Sequence, residues 1–194
     1  MPRLAIATRD KIPQEQVGIF DEIVKELGAV PDTGPRAILA YVPKAFRLEQ
    51  ELRDYLTKKS SLTEDVIELV ILITARELDC QYVWNSHAAA ARKAGVADEL
   101  VDALRDHKTL PRLSDKYHSI ITYGREFFRT HRVSPGTFGA VKDHFGERGL
   151  VELSVLFGNY CMLITLLNAN DPVLRPSKEP VMPLGRDGAA RESR

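Results

Sequence analysis

The sequence lacks the features that are typical of disulfide-rich secreted domains, nucleic-acid-binding proteins and membrane proteins. Two cysteines, Cys80 and Cys161, in 194 residues cannot make the disulfide framework of a small secreted domain. Basic and acidic residues balance at 27 each, so no electrostatic argument for nucleic acid arises. No apolar run is long and uniform enough to predict a membrane span, and MPRLAIATRD lacks the apolar region of a signal peptide. These absences predict a cytoplasmic protein that binds neither nucleic acid nor membrane.

The sequence also lacks histidines at the spacing that is typical of metal ligands. Of the five histidines, four lie in no ligand-like pattern: His107, His118, His131 and His144. We therefore predict no metal site and no cofactor.

Apolar residues recur with helical spacing through most of the chain, and 44% of the residues are hydrophobic, enough for a sizeable core. This pattern predicts an all-α protein, a helical bundle built around an antiparallel helical hairpin from Leu62 to Gly95. The β-branched run from Val66 to Thr74 also fits a buried strand, but its length and the lack of strand-like partners favour a helix. The hairpin turn is predicted near Leu78 and Asp79, with Asp79 as the N-cap of the second helix.

Composition divides the chain into three parts. Residues 1–42 are predicted to form an N-terminal helical extension, and residues 43–170 the main helical domain. Residues 171–194 are rich in proline, glycine and charge, which predicts a C-terminal tail that could lie as an arm on a neighbouring subunit.

The hairpin brings a glutamate and a histidine together. Glu68 lies ten residues before Leu78 and His87 eight after Asp79, so the two side chains are expected at the same height of the helix pair. A carboxylate beside an imidazole orients the ring and raises its proton affinity. Each residue also has a structural interpretation, Glu68 as a buried carboxylate paired with Arg76 and His87 as a core or surface histidine. The pairing favours catalytic roles for both.

Cys80 is the third candidate catalytic residue. It lies near the N-terminus of the second helix, where its pKa should be depressed and its thiolate reactive. It could equally be a small buried residue. Seven residues of helix span roughly 10 Å, so Cys80 cannot hydrogen-bond His87 directly. The position one turn before His87 is Val83, which has no thiol.

Three further side chains are candidates for substrate binding. Arg76 could clamp an anionic group, although an ion-paired arginine is an equally good interpretation. Trp84 is a candidate pocket wall or core residue. Tyr160 follows Glu152 by two helical turns and could reach the same pocket. Aligning Glu152 with Glu68 puts both glutamates at the same point of an apolar helix, a weak internal repeat.

The hairpin resembles the carboxymuconolactone decarboxylase family, which includes the alkylhydroperoxidase D proteins. That family's motif is a glutamate, a cysteine twelve residues later that begins C-x-x-C, and a histidine four residues after the second cysteine. Glu68, Cys80 and His87 occupy three of these positions, and Val83 stands at the second cysteine. The resemblance implies a helical bundle of the alkylhydroperoxidase D type, assembled as a homo-oligomer (dimer, trimer or hexamer).

The valine decides between branches of this family. A dithiol peroxidase needs both cysteines, so the resemblance implies the decarboxylase-like branch, with a metal-free site that works by proton transfer. The expected substrate is a small carboxylated or lactone-type molecule, decarboxylated or isomerised through an enolate. Two alternatives stay open: a thiol-dependent peroxidase that uses Cys80 alone, and a non-catalytic helical oligomer.

Overall fold

The computed structural model describes residues 2–185, and among these it contains helices and loops but no β-strand. The all-α prediction is therefore confirmed. Two short 3-10 turns precede the first α-helix. The α-helices are α1 (Val17–Leu27), α2 (Gly34–Leu39), α3 (Pro43–Lys58), α4 (Glu64–Glu77), α5 (Gln81–Lys93), α6 (Asp98–Arg105), α7 (Asp115–Thr130) and α8 (Pro135–Asn170).

Helix α4 is the centre of the bundle, and α5, α6, α7 and α8 all pack against it. From Val66 to Arg76 every residue is buried except Glu68, which is partly exposed. A helix that is apolar on all sides has to be covered on all sides. Glu68 lies on the side of α4 that faces α5, where it contacts His87.

The turn between α4 and α5 is as short as predicted. Leu78 ends α4, Asp79 adopts a left-handed backbone conformation with φ 52°, and Cys80 is the N-cap of α5. The prediction of Asp79 as the N-cap was wrong by one residue, because Asp79 is needed to reverse the chain. This tight reversal makes α4 and α5 antiparallel neighbours.

Helix α8 consists of two helical segments joined at a kink. Its backbone departs from helical geometry at Gly146 (φ 67°), after which it continues to Asn170. By length and composition α8 could cross a membrane, with a mean hydropathy of 1.8 over its most apolar window. The expectation that no run qualifies was therefore wrong. However, 56% of that window is buried inside the protein, where α8 packs against α4 and α7.

The segment after α8 lies on its own chain. Met182 is only 1% exposed, and its carbonyl accepts a hydrogen bond from Gln81 at 2.7 Å. The Arg76 guanidinium donates to the carbonyl of Pro183 at 2.6 Å. Residues 171–185 therefore contact α4 and α5 of their own chain. The predicted arm on a neighbouring subunit stays a prediction. The rest of the predicted tail, 186–194, lies outside the described residues.

Residues 2–42 are integrated with the main bundle. Ile23 of α1 and Leu39 of α2 share an apolar cluster with Phe46 of α3 and Leu163 of α8. Through these contacts α2 is held beside α3 and α8. This position matters because α2 supplies part of the wall of the cavity described next.

Candidate active site

The two central residues of the hairpin are in contact. His87 Nδ1 lies 2.9 Å from Glu68 Oε2, and their side chains are 25% and 13% exposed. When Nδ1 carries the ring hydrogen it donates to the carboxylate, and Nε2 is left to exchange a proton with a ligand. The register predicted from the turn therefore brings this pair together.

His87 lies at an open cavity of about 250 Å³, which is lined by residues of α2, α3, α5, α8 and the segment after α8. The ring of Tyr160 packs edge-on against His87, with centroids 5.5 Å apart, and Tyr160 also lines the cavity. Burial, and then the charge of Glu68, raises the pKa of Tyr160, so its hydroxyl stays protonated. Val83 lies in the same wall. Tyr160 was expected to reach this pocket, and the structure places it in the cavity wall.

Three arginines surround this cavity, and sequence reasoning missed all of them. Arg36 comes from α2, Arg53 from α3 and Arg175 from the segment after α8. Burial, and then repulsion from Arg53, lowers the pKa of Arg36. Arg175 donates to the Thr33 hydroxyl. No sequence signal connects positions so far apart, because only the fold brings them to one cavity.

Cys80 is not an activated thiol. It is 1% exposed and does not line the cavity. Burial raises its pKa to about 11, and hydrogen bonds from the backbone of Val83 and Tyr82 offset only part of that effect. The predicted depressed pKa was therefore wrong, because burial outweighs the helix N-terminus.

Cys80 is accordingly expected to react slowly with an aromatic disulfide reagent at pH 7. At that pH a thiol of such pKa is ionised to only about 10⁻⁴. The measurement is made on a Cys161→Ser background, so that only one thiol is counted, with the urea-unfolded protein as the control. Rapid labelling of the native protein would contradict the prediction.

Two predicted substrate-binding residues, Arg76 and Trp84, lie outside this cavity. Arg76 is 2% exposed, pairs with Asp79 and donates to the carbonyl of Arg105 at 2.9 Å. It neither lines the cavity nor contacts Glu68, so its assignment as a substrate clamp is corrected to an internal anchor. Trp84 is 1% exposed and belongs to the core, so its assignment as a pocket wall is corrected too.

Glu152, the counterpart of Glu68 in the weak repeat, has a structural role. Tyr55 donates to its carboxylate at 2.6 Å, and Ser61 donates from its hydroxyl at 2.6 Å and its backbone N–H at 2.8 Å. Burial raises the pKa of Glu152, but these bonds and one from Arg148 outweigh it and hold the pKa at about 2. Such a saturated carboxylate fixes α8 to α3 and the loop after it, and it has no capacity left for a ligand.

Residues 2–185 hold no group of three or more His, Cys, Asp or Glu side chains placed to bind a metal ion. What the cavity offers a ligand is an imidazole backed by a carboxylate, the buried phenols of Tyr82 and Tyr160, the carboxyl group of Glu49 and three guanidinium groups. This set of groups suits proton transfer on an anion.

Comparison with known families gives one match. A model of the carboxymuconolactone decarboxylase family matches residues 43–120, which include the hairpin with Glu68, Cys80 and His87. No curated protein matches the chain in sequence.

Solved structures share the fold across most of the chain. The alkylhydroperoxidase AhpD core of a peroxidase-related protein from Ralstonia eutropha JMP134 is 18% identical, with a TM-score of 0.66 over 91% of this chain and 93% of that one. A peroxidase-related protein from Silicibacter sp. TM1040 is 17% identical, with a TM-score of 0.65 over 89% and 91%. The debrominase Bmp8 is 14% identical, with a TM-score of 0.66 over 89% and 92%. At these identities the likeness shows a common alkylhydroperoxidase D-like fold.

Proposed function

We propose that this protein, whose residues 43–120 match a model of the carboxymuconolactone decarboxylase family, is an enzyme that transfers a proton on a small carboxylated or lactone-type substrate. The reaction is a decarboxylation or an isomerisation through an enolate. One observation carries the proposal: the 2.9 Å contact between His87 and Glu68 at a cavity of about 250 Å³.

In this mechanism His87 is the group that moves the proton. Glu68 holds the Nδ1–H of the ring and stabilises the imidazolium that forms when Nε2 takes a proton. In an isomerisation, Nε2 removes a proton from the carbon next to a carbonyl and returns it to another carbon of the enolate. In a decarboxylation, Nε2 first takes a proton from water. The bond to CO₂ then breaks, its electron pair forms the enolate, and the imidazolium protonates the carbon.

The cavity's charge supports a carboxylated substrate. Neither Arg36 nor Arg175 forms a salt bridge with any residue between 2 and 185, although both line the cavity. A guanidinium is a good partner for a carboxylate because it donates two parallel hydrogen bonds. A substrate carboxylate between these arginines would lie in the same cavity as His87.

The chemistry of Cys80 argues against the peroxidase alternative. A peroxidatic thiol has to be ionised and reachable by peroxide. Cys80 is 1% exposed with a pKa raised to about 11, and Val83 leaves no second thiol in the motif.

Hydrogen exchange provides the test, since it does not require the natural product to be known. We would incubate the protein in D₂O with a panel of keto acids and carboxylated lactones, and follow loss of the C–H signal and release of CO₂ by NMR. Catalysed exchange or decarboxylation of at least one compound is expected. A protein inert towards the whole panel would contradict the proposal.

With a compound that reacts, Arg175→Gln is expected to raise KM about tenfold or more while kcat changes much less. The reason is that a charged hydrogen bond to the substrate carboxylate is lost, whereas the proton-transfer groups stay in place. Arg132→Gln is the matched control, because Arg132 is exposed and lies outside the cavity. An unchanged KM in Arg175→Gln would remove the arginine from substrate binding.

A further inference from the structure

A second carboxyl group, Glu49 of α3, faces the cavity that holds His87. The residue is 8% exposed, and its Oε1 atom is buried without a hydrogen-bond partner among the described residues. The nearest cation is Arg53, whose Nε lies 3.7 Å from Oε1, too far for a hydrogen bond. Glu49 therefore differs from Glu68, which is hydrogen-bonded to His87.

Within residues 2–185, two more buried polar groups of this cavity have no hydrogen-bond partner. They are the Nε of Arg53 and the hydroxyl of Tyr82, which is itself 8% exposed. Buried polar groups are nearly always hydrogen-bonded in folded proteins, so several orphans around one cavity indicate a polar ligand that supplies the missing partners. Glu49 is one of the groups that such a ligand would meet.

The surroundings of Glu49 raise the pKa of its carboxyl group above the usual glutamate value. Burial raises the pKa of the carboxyl, and the charge of Arg53 offsets only part of this effect. Three other groups act on it. The side-chain amide of Asn159 on α8 lies beside Glu49 but outside hydrogen-bond geometry, its own polar atoms being buried without partners among the described residues, and it lowers the pKa. Arg36 of α2 also lowers the pKa, and Asp54 of α3 raises it. A carboxylic acid in a poorly solvated cavity can donate a hydrogen bond, or its proton, to an oxygen that becomes negative.

We propose that Glu49 is a second catalytic residue of this site, a general acid that protonates the substrate's carbonyl oxygen while His87 acts on carbon. The inference rests on the proposed function and deepens it, because it requires a substrate with a carbonyl oxygen placed between the two residues. Glu68 cannot take this role, since its carboxylate is already committed to the imidazole.

Every proton that is moved in this step is accounted for by His87 and Glu49. His87 Nε2 removes a proton from the carbon next to the carbonyl, and the electron pair of that C–H bond forms the C=C bond of an enol. The Glu49 O–H bond breaks as its proton passes to the carbonyl oxygen, which leaves a carboxylate beside Arg53. In the return half, that carboxylate takes the enol proton back and the imidazolium protonates carbon, so both residues regain their starting state.

Titration of Glu49 gives the first test. Protein labelled with ¹³C at the glutamate carboxyl is titrated by NMR, and the signal that disappears in Glu49→Gln is assigned to this residue. Glu51→Gln, an exposed change on the same helix, is the control for assignment. We expect the Glu49 signal to titrate above the ordinary glutamate value of about 4.3. A pKa at or below that value would overturn the inference.

Kinetics with a compound that exchanges in D₂O give the second test. Glu49→Gln is expected to lower kcat roughly 10²-fold or more, as for loss of a general acid, with a smaller change in KM. The wild-type rate should fall as pH rises through the Glu49 pKa, because the acid is then lost, and this fall should be absent in Glu49→Gln. Glu49→Asp should recover part of the rate together with the fall, and Glu51→Gln should match the wild type.

The two proposals fail in distinguishable ways. If His87→Gln abolishes exchange while Glu49→Gln, folded by circular dichroism, keeps the wild-type rate and pH profile, the inference is overturned and the proposed function stands. If the wild type exchanges no compound of the panel, the proposed function fails and the catalytic role of Glu49 fails with it.

Discussion

Replacing His87 by glutamine is expected to lower kcat for C–H exchange or decarboxylation roughly 10³-fold while the fold stays intact. The amide cannot take up a proton at neutral pH, yet it is close to imidazole in size and can still hydrogen-bond Glu68. The side chain is 25% exposed, so the change leaves no sealed cavity in the core. The measurement is the initial rate by NMR at saturating substrate.

The control for this prediction is His118→Gln on α7, which lies outside the cavity. It should keep the wild-type rate. Circular dichroism and the urea midpoint show whether both variants fold alike. A His87→Gln protein that folds and turns over at the wild-type rate would contradict the whole acid–base proposal.

Replacing Arg76 by methionine is expected to lower the free energy of unfolding by about 3 kcal/mol. The guanidinium is 2% exposed and joins Asp79 to the carbonyls of Arg105 and Pro183. Methionine fills much of the same volume but leaves these acceptors without their donor. Equilibrium unfolding in urea measures the change.

This variant should also affect the site from a distance. Pro183 belongs to the same segment as Arg175, so weaker anchoring of residues 171–185 should raise KM and speed amide exchange in that segment. Arg9→Met, which breaks an exposed pair with Asp21, is the control and should leave stability and KM unchanged. Equal stability of Arg76→Met and the wild type would contradict the anchoring role.

The hairpin and its acid–base pair could be predicted because both depend on local information. The spacing of apolar residues defines α4 and α5, and the position of the turn fixes their register. Once the register is set, Glu68 and His87 have to meet. The predicted homo-oligomer and cytoplasmic location depend on no such local feature, and they stay predictions.

The roles of Cys80, Arg76 and Glu49 depend on tertiary structure. The sequence shows that Cys80 lies at a helix N-terminus, but it does not show that the rest of the fold buries the thiol. That burial decides the direction of the pKa shift of Cys80. Arg76 is anchored by residues about 100 positions away, such as Pro183. Glu49 lies among polar residues of an amphipathic helix, and nothing in that pattern separates it from its exposed neighbour Glu51.

The composition of the cavity wall has a consequence for how such proteins diverge. Glu68 and His87 lie inside the segment 43–120 that matches the family, whereas Arg36, Tyr160 and Arg175 lie outside it. Substitutions in α2 or in the last described residues can therefore change the cavity wall without changing Glu68 or His87. The same separation suits protein engineering, because a library limited to Arg36 and Arg175 would diversify the ligands accepted while Glu68 and His87 stay constant.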